Sequence, residues 1–333
     1  MKQLLSMVLL SVMAILSYAQ QNFKIVNNFK IASTGGWDYI AVEPNSNRLF
    51  VSHGTQVNIL DKITGDSLGI IPNTIGVHGI AFVPSLNKGY TSNGKLNNVT
   101  VFDLKTFAVK DSIATGQNPD AIFYDTYSKR IVTCNGRSKD VTFIDPVTDK
   151  VVATVAVGGK PETAVSNGSG KIFVNVEDKN EIVVINTNTM KAEAHWSLLP
   201  DEAPTGLVID TKTKRLFAAC GDNKLLVVVD AEKGTIIAKL PIGDGCDGAG
   251  FDAELKNIYT SNGDGTLTVI HEDSKDRFTV TATVPTKKGA RTMTVDEDTH
   301  KLYLPAAELE EPKGNGRPKM VPGTFQVLVL NRQ

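Results

Sequence analysis

The sequence predicts an all-β protein: a seven-bladed β-propeller with four-stranded antiparallel blades, its ring closed by the N-terminal strand. Two observations lead to this prediction. The chain repeats itself about every 42 residues, and its apolar segments are short, rich in β-branched and aromatic residues, and without a convincing amphipathic helical period. Four short strands repeated in tandem at this spacing are typical of a propeller blade.

Seven segments share one pattern: a polar or basic residue, an apolar residue or glycine, and then an aromatic residue or valine. A second pattern, an apolar run that closes on Asp or Asn, follows in all units but the sixth, where it closes on His271. Successive steps of 40, 42, 41, 44, 42 and 44 residues separate the last residues of the first pattern, Phe50, Tyr90, Val132, Phe173, Phe217, Tyr259 and Tyr303. Because the two patterns recur with the same spacing, we predict that each unit forms one blade.

The ends of the chain indicate how the ring closes. The seventh unit ends at Asn331 and lacks a fourth strand, whereas the strand-like segment from Phe23 to Ile31 precedes the first unit. Because an open ring would leave unpaired edges, we predict that this segment is the outer strand of blade 7. The extra length of the seventh unit, at about 305–324, is rich in Pro, Gly, Glu and Lys. It is predicted to be a solvated loop insertion, with a functional lid as the alternative.

The first nineteen residues resemble a targeting segment rather than part of the fold. One lysine precedes an apolar run from Leu4 to Leu16, and Ser17-Tyr18-Ala19 places small residues where signal peptidase cleaves. We therefore expect a signal peptide at 1–19, cleavage after Ala19, and one propeller domain over 20–333. The run is too short to serve comfortably as a membrane anchor, and no later stretch is long and apolar enough to span a membrane. The expected location is the periplasm or the outside of the cell.

The composition of the chain narrows the classes of partner that the protein is expected to bind. With 35 Lys and Arg against 36 Asp and Glu, the net charge is −1, so neither nucleic acid nor a membrane surface is expected as a partner. A monomer that binds a small molecule or another protein is the expectation. Three cysteines exclude a disulfide-rich scaffold.

Short motifs within the repeat identify a family resemblance. Tyr90-Thr91-Ser92-Asn93-Gly94 and Tyr259-Thr260-Ser261-Asn262-Gly263 share one pattern, and Val132-Thr133-Cys134-Asn135-Gly136 is a variant of it. They resemble the YVTN-repeat β-propellers, an exported family that includes YncE-like and surface-layer-like proteins. The resemblance covers residues 23 to 331. It implies the fold, and it implies no single chemistry, because the family shares an architecture more than a reaction.

The repeat also predicts which residues surround the mouth of the central channel, where propellers usually bind. One set lies twelve residues before the aromatic position, or eleven in the fourth unit, and comprises Asp38, His78, Asp120, Glu162, Thr205, Asp247 and Arg291. A second set lies three residues after it and comprises His53, Asn93, Asn135, Val176, Cys220, Asn262 and Ala306. We predict ligand binding by the polar members Asp38, His53, His78, Asn93, Asp120, Asn135, Glu162, Asp247, Asn262 and Arg291. Four acids in the first set disfavour a phosphate backbone at the mouth.

Departures from the repeat indicate where chemistry is expected. His53 and His78 replace a recurring Asn and a recurring acid, and with Asp38 and Asp120 nearby they are candidate ligands of a divalent metal, the one cofactor that the sequence suggests. Histidines that make only hydrogen bonds are the favoured alternative. Arg291 is a candidate for holding a ligand carboxylate, or else for an ion pair with a ring acid.

Cys220 and Cys246 occupy the mouth ends of neighbouring blades. In an oxidising compartment they are candidates for a disulfide, which would leave Cys134 free. Three buried, unpaired thiols are the alternative, because sequence does not give the distance between the sulfurs.

Two classes of function follow. The favoured one is a non-enzymatic, exported binding protein that uses the channel mouth, since no catalytic motif is present. The alternative is a hydrolase or lyase, for instance lactonase-like, with His53 or His78 as general base, Arg291 as anion holder and a metal as a possible aid.

Overall fold

Seven four-stranded antiparallel sheets surround a central channel in the computed structural model, which describes residues 22–201, 203–311 and 318–333. The innermost strands contact one another in sequence around the ring, and the last of them contacts the first. Each sheet is formed by chain-adjacent strands, except that of blade 7. The predicted fold class is confirmed: an all-β propeller of seven blades without an α-helix in the described ranges.

Numbered β1 to β28 in chain order, the strands fill four positions in each blade. The innermost strands are β2 (Trp37–Val42), β6 (Val77–Val83), β10 (Pro119–Asp125), β14 (Pro161–Ser166), β18 (Pro204–Asp210), β22 (Cys246–Asp252) and β26 (Thr294–Asp296). The second strands are β3 (Arg48–His53), β7 (Lys88–Asn93), β11 (Arg130–Asn135), β15 (Lys171–Val176), β19 (Arg215–Cys220), β23 (Asn257–Asn262) and β27 (Lys301–Ala306). The third strands are β4 (Gln56–Asp61), β8 (Asn98–Asp103), β12 (Asp140–Asp145), β16 (Glu181–Asn186), β20 (Leu225–Asp230), β24 (Thr266–Ser274) and β28 (Gln326–Arg332). The outer strands are β5 (Ser67–Ile71), β9 (Val109–Ala114), β13 (Lys150–Ala156), β17 (Lys191–Ser197), β21 (Ile236–Pro241), β25 (Arg277–Pro285) and β1 (Phe23–Lys30), and two short 3₁₀ helices cover Pro84–Leu86 and Glu177–Lys179.

The N-terminal strand closes the ring, as the sequence predicts. Strand β1 pairs antiparallel with β28, from Phe23 opposite Arg332 to Lys30 opposite Gln326, and so becomes the outer strand of blade 7. A buried ion pair adds to this closure, because Lys62 Nζ of blade 1 lies 3.0 Å from Asp296 Oδ1 of blade 7. Both ends of the described chain therefore belong to one sheet.

Apolar side chains fill the space between neighbouring sheets. The aromatic residues of the repeat lie there and are fully buried: Phe50, Tyr90, Phe173, Phe217, Tyr259 and Tyr303. Phe50 of blade 1, for example, contacts Phe82 and Phe102 of blade 2, with ring centroids 4.9 and 5.9 Å apart. Every blade thus depends on its neighbours for its core. Within the described residues, no helix has the length and apolar character needed to cross a membrane.

The two ends of the channel differ in the loops that form them. At the end that we call the mouth face, each innermost strand begins and each second strand ends; at the opposite face, those two strands are joined by a turn. The connection between β27 and β28 lies on the mouth face. Its two arms meet in a bridge between Leu309 and Met320, with Val321 N–H donating to Glu308 O.

Candidate ligand site at the channel mouth

The first predicted set of residues lies at the start of the innermost strands. Six of its seven members are the second residue of their strand, and Arg291 precedes the shortened strand β26. In those six blades the pairing with the second strand shifts register within three residues of the strand's start, after residues 37, 77, 119, 161, 204 and 246. Such bulges re-aim side chains and are common next to binding sites. They let ring residues of different blades meet.

Blades 1 to 4 bring four of these residues together in what we call the acidic cluster: Asp38, His78, Asp120 and Glu162. His78 Nδ1 lies 2.6 Å from Asp38 Oδ2 and 3.7 Å from Asp120 Oδ1, so one nitrogen faces carboxylates of two other blades. Lys160 Nζ contacts Glu162 Oε1 at 2.8 Å and also pairs with Glu177. The cluster is half-buried and carries more acidic than basic groups.

Burial and crowding perturb the titration of this cluster. Burial alone would lower the pKa of His78, but the hydrogen bond to Asp38 and the negative charges of Asp120, Asp38 and Glu162 raise it to about 9. Burial and neighbouring carboxylates raise the pKa of Asp120 and of Glu162. Burial, together with the charges of Asp120 and Glu162, also raises the pKa of Cys134 well above its usual value. Together, these surroundings therefore favour the protonated forms of His78, Asp120 and Glu162.

Blades 5 to 7, with Trp37 of blade 1 and Glu177 of blade 4, present a different surface, which we call the blade-7 cleft. It is a cavity of about 720 Å³ that opens on the mouth face. Its polar groups include Asp247 and Arg291, which form an ion pair, and its apolar walls include Trp37, Leu309 and Met320. The Arg291 side chain is 40% exposed. The cavity therefore places charged side chains directly beside apolar surface.

A buried donor also borders this cleft. The indole Nε1–H of Trp37 has no hydrogen-bond partner among the described residues, while the ring of Trp37 packs against Phe325 at 5.5 Å between centroids. Leaving such a donor without a partner costs about 1–3 kcal/mol. A water or ligand oxygen that reached it would recover that free energy.

Hydroxyl groups of the second strands fix the ring residues in place. Ser92 Oγ accepts a hydrogen bond from Gly79 N–H at 2.8 Å and donates to Asp120 O, so it connects blades 2 and 3 directly beneath His78. Ser261 Oγ donates to Arg291 O at 2.7 Å in the same way between blades 6 and 7. The inference from the sequence missed these interblade contacts, although the recurrence of serine just before the recurring asparagine was the available signal.

A glycine lets the blades approach closely at this point. A Cβ on Gly79 would lie 2.8 Å from Ile122 Cγ2 and 3.1 Å from Asp120 O. Any side chain there would push blades 2 and 3 apart. The juxtaposition of His78 and Asp120 therefore depends on a residue without a Cβ.

His53 does not join the acidic cluster, which corrects the expected pairing of His53 with His78. It is fully buried, with Nε2–H donating to Gly35 O at 2.8 Å and its ring stacked on Phe325 at 3.8 Å. Burial lowers the pKa of His53 and keeps the ring neutral. The physical reason is that the last residue of the second strand points into the blade.

The three predicted asparagines of the second set are likewise fully buried. The amides of Asn93, Asn135 and Asn262 donate to side chains on the third strand of their own blade, among them Thr100, Thr142 and Thr268 at 2.8 to 3.1 Å. They hold the turn between the second and third strands. None of them is positioned to contact a ligand in the mouth.

All three cysteines are buried, free thiols. The candidate Cys220–Cys246 disulfide is therefore not present in this structure, which has the alternative of three buried, unpaired thiols. The two thiols are near enough for Cys220 to influence the pKa of Cys246. Cys246 S–H instead donates to Gly248 O at 3.4 Å. Burial is the main cause that raises the pKa of each of these two thiols to about 12.

Comparison with known proteins identifies the family to which this chain belongs. The family model described as YNCE-like beta-propeller matches residues 70–254, which is more than half of the chain. The chain belongs to the YncE-like β-propeller family. The family resemblance inferred from the motifs is thereby confirmed.

Solved structures with a similar fold are distant in sequence. A chain of hydrazine synthase from Kuenenia stuttgartiensis is 16% identical, with a TM-score of 0.71, over 81% of this chain and 92% of that one. The WD40 repeats of RRP9 are 7% identical, with a TM-score of 0.78, over 92% and 97%. At these identities the likeness shows the fold alone. No curated protein matches the sequence.

Proposed function

We propose that this YncE-like propeller is an exported binding protein that holds a small amphipathic molecule in the blade-7 cleft. The observation that carries the proposal is the cleft itself: about 720 Å³ at the channel mouth, with apolar walls next to the partly exposed pair of Arg291 and Asp247. Glu177, Asp222 and Lys319 also line it. A concave, largely apolar cavity with a few convergent polar groups is where small ligands usually bind.

The ion pair suggests the charge of the ligand. Arg291 offers guanidinium donors to a carboxylate, and Asp247, on the adjacent blade, offers a carboxylate to an ammonium group. A zwitterion with an apolar side chain satisfies both groups and packs its apolar part against Trp37 and Leu309. We therefore propose a ligand of the class of apolar amino acids or short peptides.

Binding is favoured over the hydrolase or lyase alternative by the two histidines. His53 is buried and held by hydrogen bonds, and His78 has a pKa of about 9, so neither is a free imidazole near neutrality. A general base is most effective when its pKa is near the working pH. Arg291 pairs with Asp247, whereas the contacts of His78 are with Asp38 and Asp120.

Three probes with one apolar part and different charges test the ligand class. Calorimetric titration with L-phenylalanine, phenylacetate and phenethylamine should give the tightest binding for L-phenylalanine, with at least tenfold weakening for the other two. Arg291→Met should abolish the preference for the carboxylate, whereas Lys224→Met, which removes an exposed cation paired with Asp244, should change nothing. Absence of binding by all three probes would refute this ligand class.

Export is a separate part of the proposal, supported by the predicted signal peptide, which lies outside the described residues. Expression of the full chain in a Gram-negative host should place the protein in the periplasmic fraction with Gln20 as its first residue. Intact-mass measurement and N-terminal sequencing determine the cleavage position directly. An uncleaved chain in the cytoplasm would contradict it.

A further inference from the structure

We propose that Asp38, His78 and Asp120 bind one divalent transition-metal ion at the channel mouth. Their ligand atoms, His78 Nδ1 and one carboxylate oxygen from each aspartate, all lie within 4.8 Å of one another. This is the only such group of three among the residues that the structure describes. The inference does not depend on the ligand proposed for the blade-7 cleft.

The geometry is close to that of a metal site with three protein ligands. Atoms bound to one tetrahedral ion at about 2.1 Å are about 3.4 Å apart. The nitrogen of His78 is 2.6 Å from Asp38 Oδ2 and 3.7 Å from Asp120 Oδ1, so the first separation would open by about 0.8 Å and the second would close by about 0.3 Å to hold an ion. The ion would replace the proton that Nδ1 and Asp38 share. A fourth position would remain for solvent or a ligand.

The framework around the three ligands is rigid. Each ligand is the second residue of an innermost strand in a different blade, namely β2, β6 and β10. Ser92 links Gly79 N–H to Asp120 O, and Thr292 Oγ1 donates to Asp38 O at 2.6 Å. These hydrogen bonds fix the backbone from which the two aspartates project, and a rigid framework is what a preorganised site requires.

The charge also favours a cation. Two carboxylates, those of Asp38 and Asp120, face His78 Nδ1, and the neighbouring Lys160 is engaged by Glu162 and Glu177. One imidazole nitrogen with two carboxylate oxygens suits Zn²⁺ or Mn²⁺, whereas Mg²⁺ and Ca²⁺ prefer oxygen ligands alone.

His300 on the opposite face provides a matched control. Its side chain is 27% exposed against 26% for His78, and its Nδ1 lies 2.7 Å from Asp252. Its second acid, Glu254, is 3.7 Å from the other nitrogen, Nε2, so the two carboxylates flank the ring from different sides. They do not converge on one point, and His300 should not bind the ion.

Metal analysis and calorimetric titration with Zn²⁺ and Mn²⁺ test the site. After EDTA treatment, the wild type should bind one ion per chain with a micromolar or tighter Kd. His78→Gln and Asp120→Asn should each weaken binding at least tenfold, and His300→Gln should not. Stoichiometric binding that survives both mouth variants, that falls equally with His300→Gln, or that is absent from the wild type would overturn the proposal.

A measurement on the wild-type protein tests the site without depending on the folding of any variant. Zn²⁺ titration followed by NMR of the imidazole nitrogens should shift the His78 signals and leave those of His300 and His195 in place. Equal shifts of all three, or none at His78, would also overturn the proposal.

Discussion

His78 and His300 have nearly the same exposure and each has a hydrogen-bonded aspartate. The two rings differ in how the acids around them are arranged. At the mouth, two acids from two other blades face one nitrogen of His78. At the opposite face, His300 lies between two acids that face different nitrogens. Asp252 is further engaged by the backbone N–H groups of Glu254 and Leu255. The same residue types therefore make a cluster that converges on one nitrogen at one end and a turn whose acids face different nitrogens at the other.

The difference extends to the two faces as a whole. Two ion pairs at the opposite face are buried within the fold, Lys62 with Asp296 and Arg215 with Asp230. Charged residues at the mouth are half-exposed, and several acids there share few cations. We infer that the opposite face uses its charges to join blades, whereas the mouth retains charge for a ligand.

The largest expected effect is the loss of a buried charge pair at the opposite face. Lys62→Met leaves the carboxylate of Asp296 buried without its cation and should lower the free energy of unfolding by about 3 kcal/mol. Urea denaturation measures it. Lys224→Met, at an exposed pair on the mouth face, should change the free energy by less than about 0.5 kcal/mol. Equal losses would remove the distinction between the faces.

The next effect concerns the hydrogen bonds beneath the acidic cluster. Ser92→Ala leaves Gly79 N–H and Asp120 O without their partner and should cost about 2 kcal/mol. It should also weaken the binding of Zn²⁺, since it loosens Asp120. Ser112→Ala, at an exposed hydroxyl of the same blade, is the control and should alter neither property. A stable Ser92→Ala protein with unchanged metal affinity would argue against a preorganised site.

The pH dependence of stability tests one buried acid on the opposite face, Glu272. Burial, with the charge of Asp210, raises the pKa of Glu272 from 4.5 to about 7. Between these values the folded chain holds more protons than the unfolded chain, so stability should fall as pH rises across this range. Glu272→Gln should remove this slope, and Glu232→Gln, at an exposed pair, should keep it. Stability that rises over this range in the wild type but not in Glu272→Gln would contradict the assignment.

The smallest effect on stability is expected at Arg291. Its pair with Asp247 is partly exposed, so Arg291→Met should change the free energy of unfolding by no more than about 0.5 kcal/mol. Thermal melting of the ligand-free protein checks this. A loss of several kcal/mol would mean that the pair joins blades, as on the opposite face, rather than serving a ligand.

The sequence predicts the fold well because propeller blades are local and repeated. Seven recurring positions, six aromatic and one valine, predicted the blade count, and the unassigned segment from Phe23 to Ile31 predicted the closure that β1 makes. The site was harder to predict. The ring position of each residue followed from the repeat, but the direction of its side chain did not.

His53 shows this limit most clearly. As the last residue of a second strand it points into the blade, where Gly35 and Phe325 enclose it. The bulges that turn Asp38 and Asp120 towards His78 have no separate signature within one repeat. Contacts between blades, such as the one that Ser92 makes, depend on neighbours about forty residues away.

Anomalous diffraction from a crystal soaked in Mn²⁺ tests the central claim most directly, since it locates bound ions on both faces at once. We expect one strong peak between Asp38, His78 and Asp120 and none beside His300 and Asp252. A peak at the opposite face, or none at the mouth, would contradict the claim that the mouth alone holds its charge for a ligand.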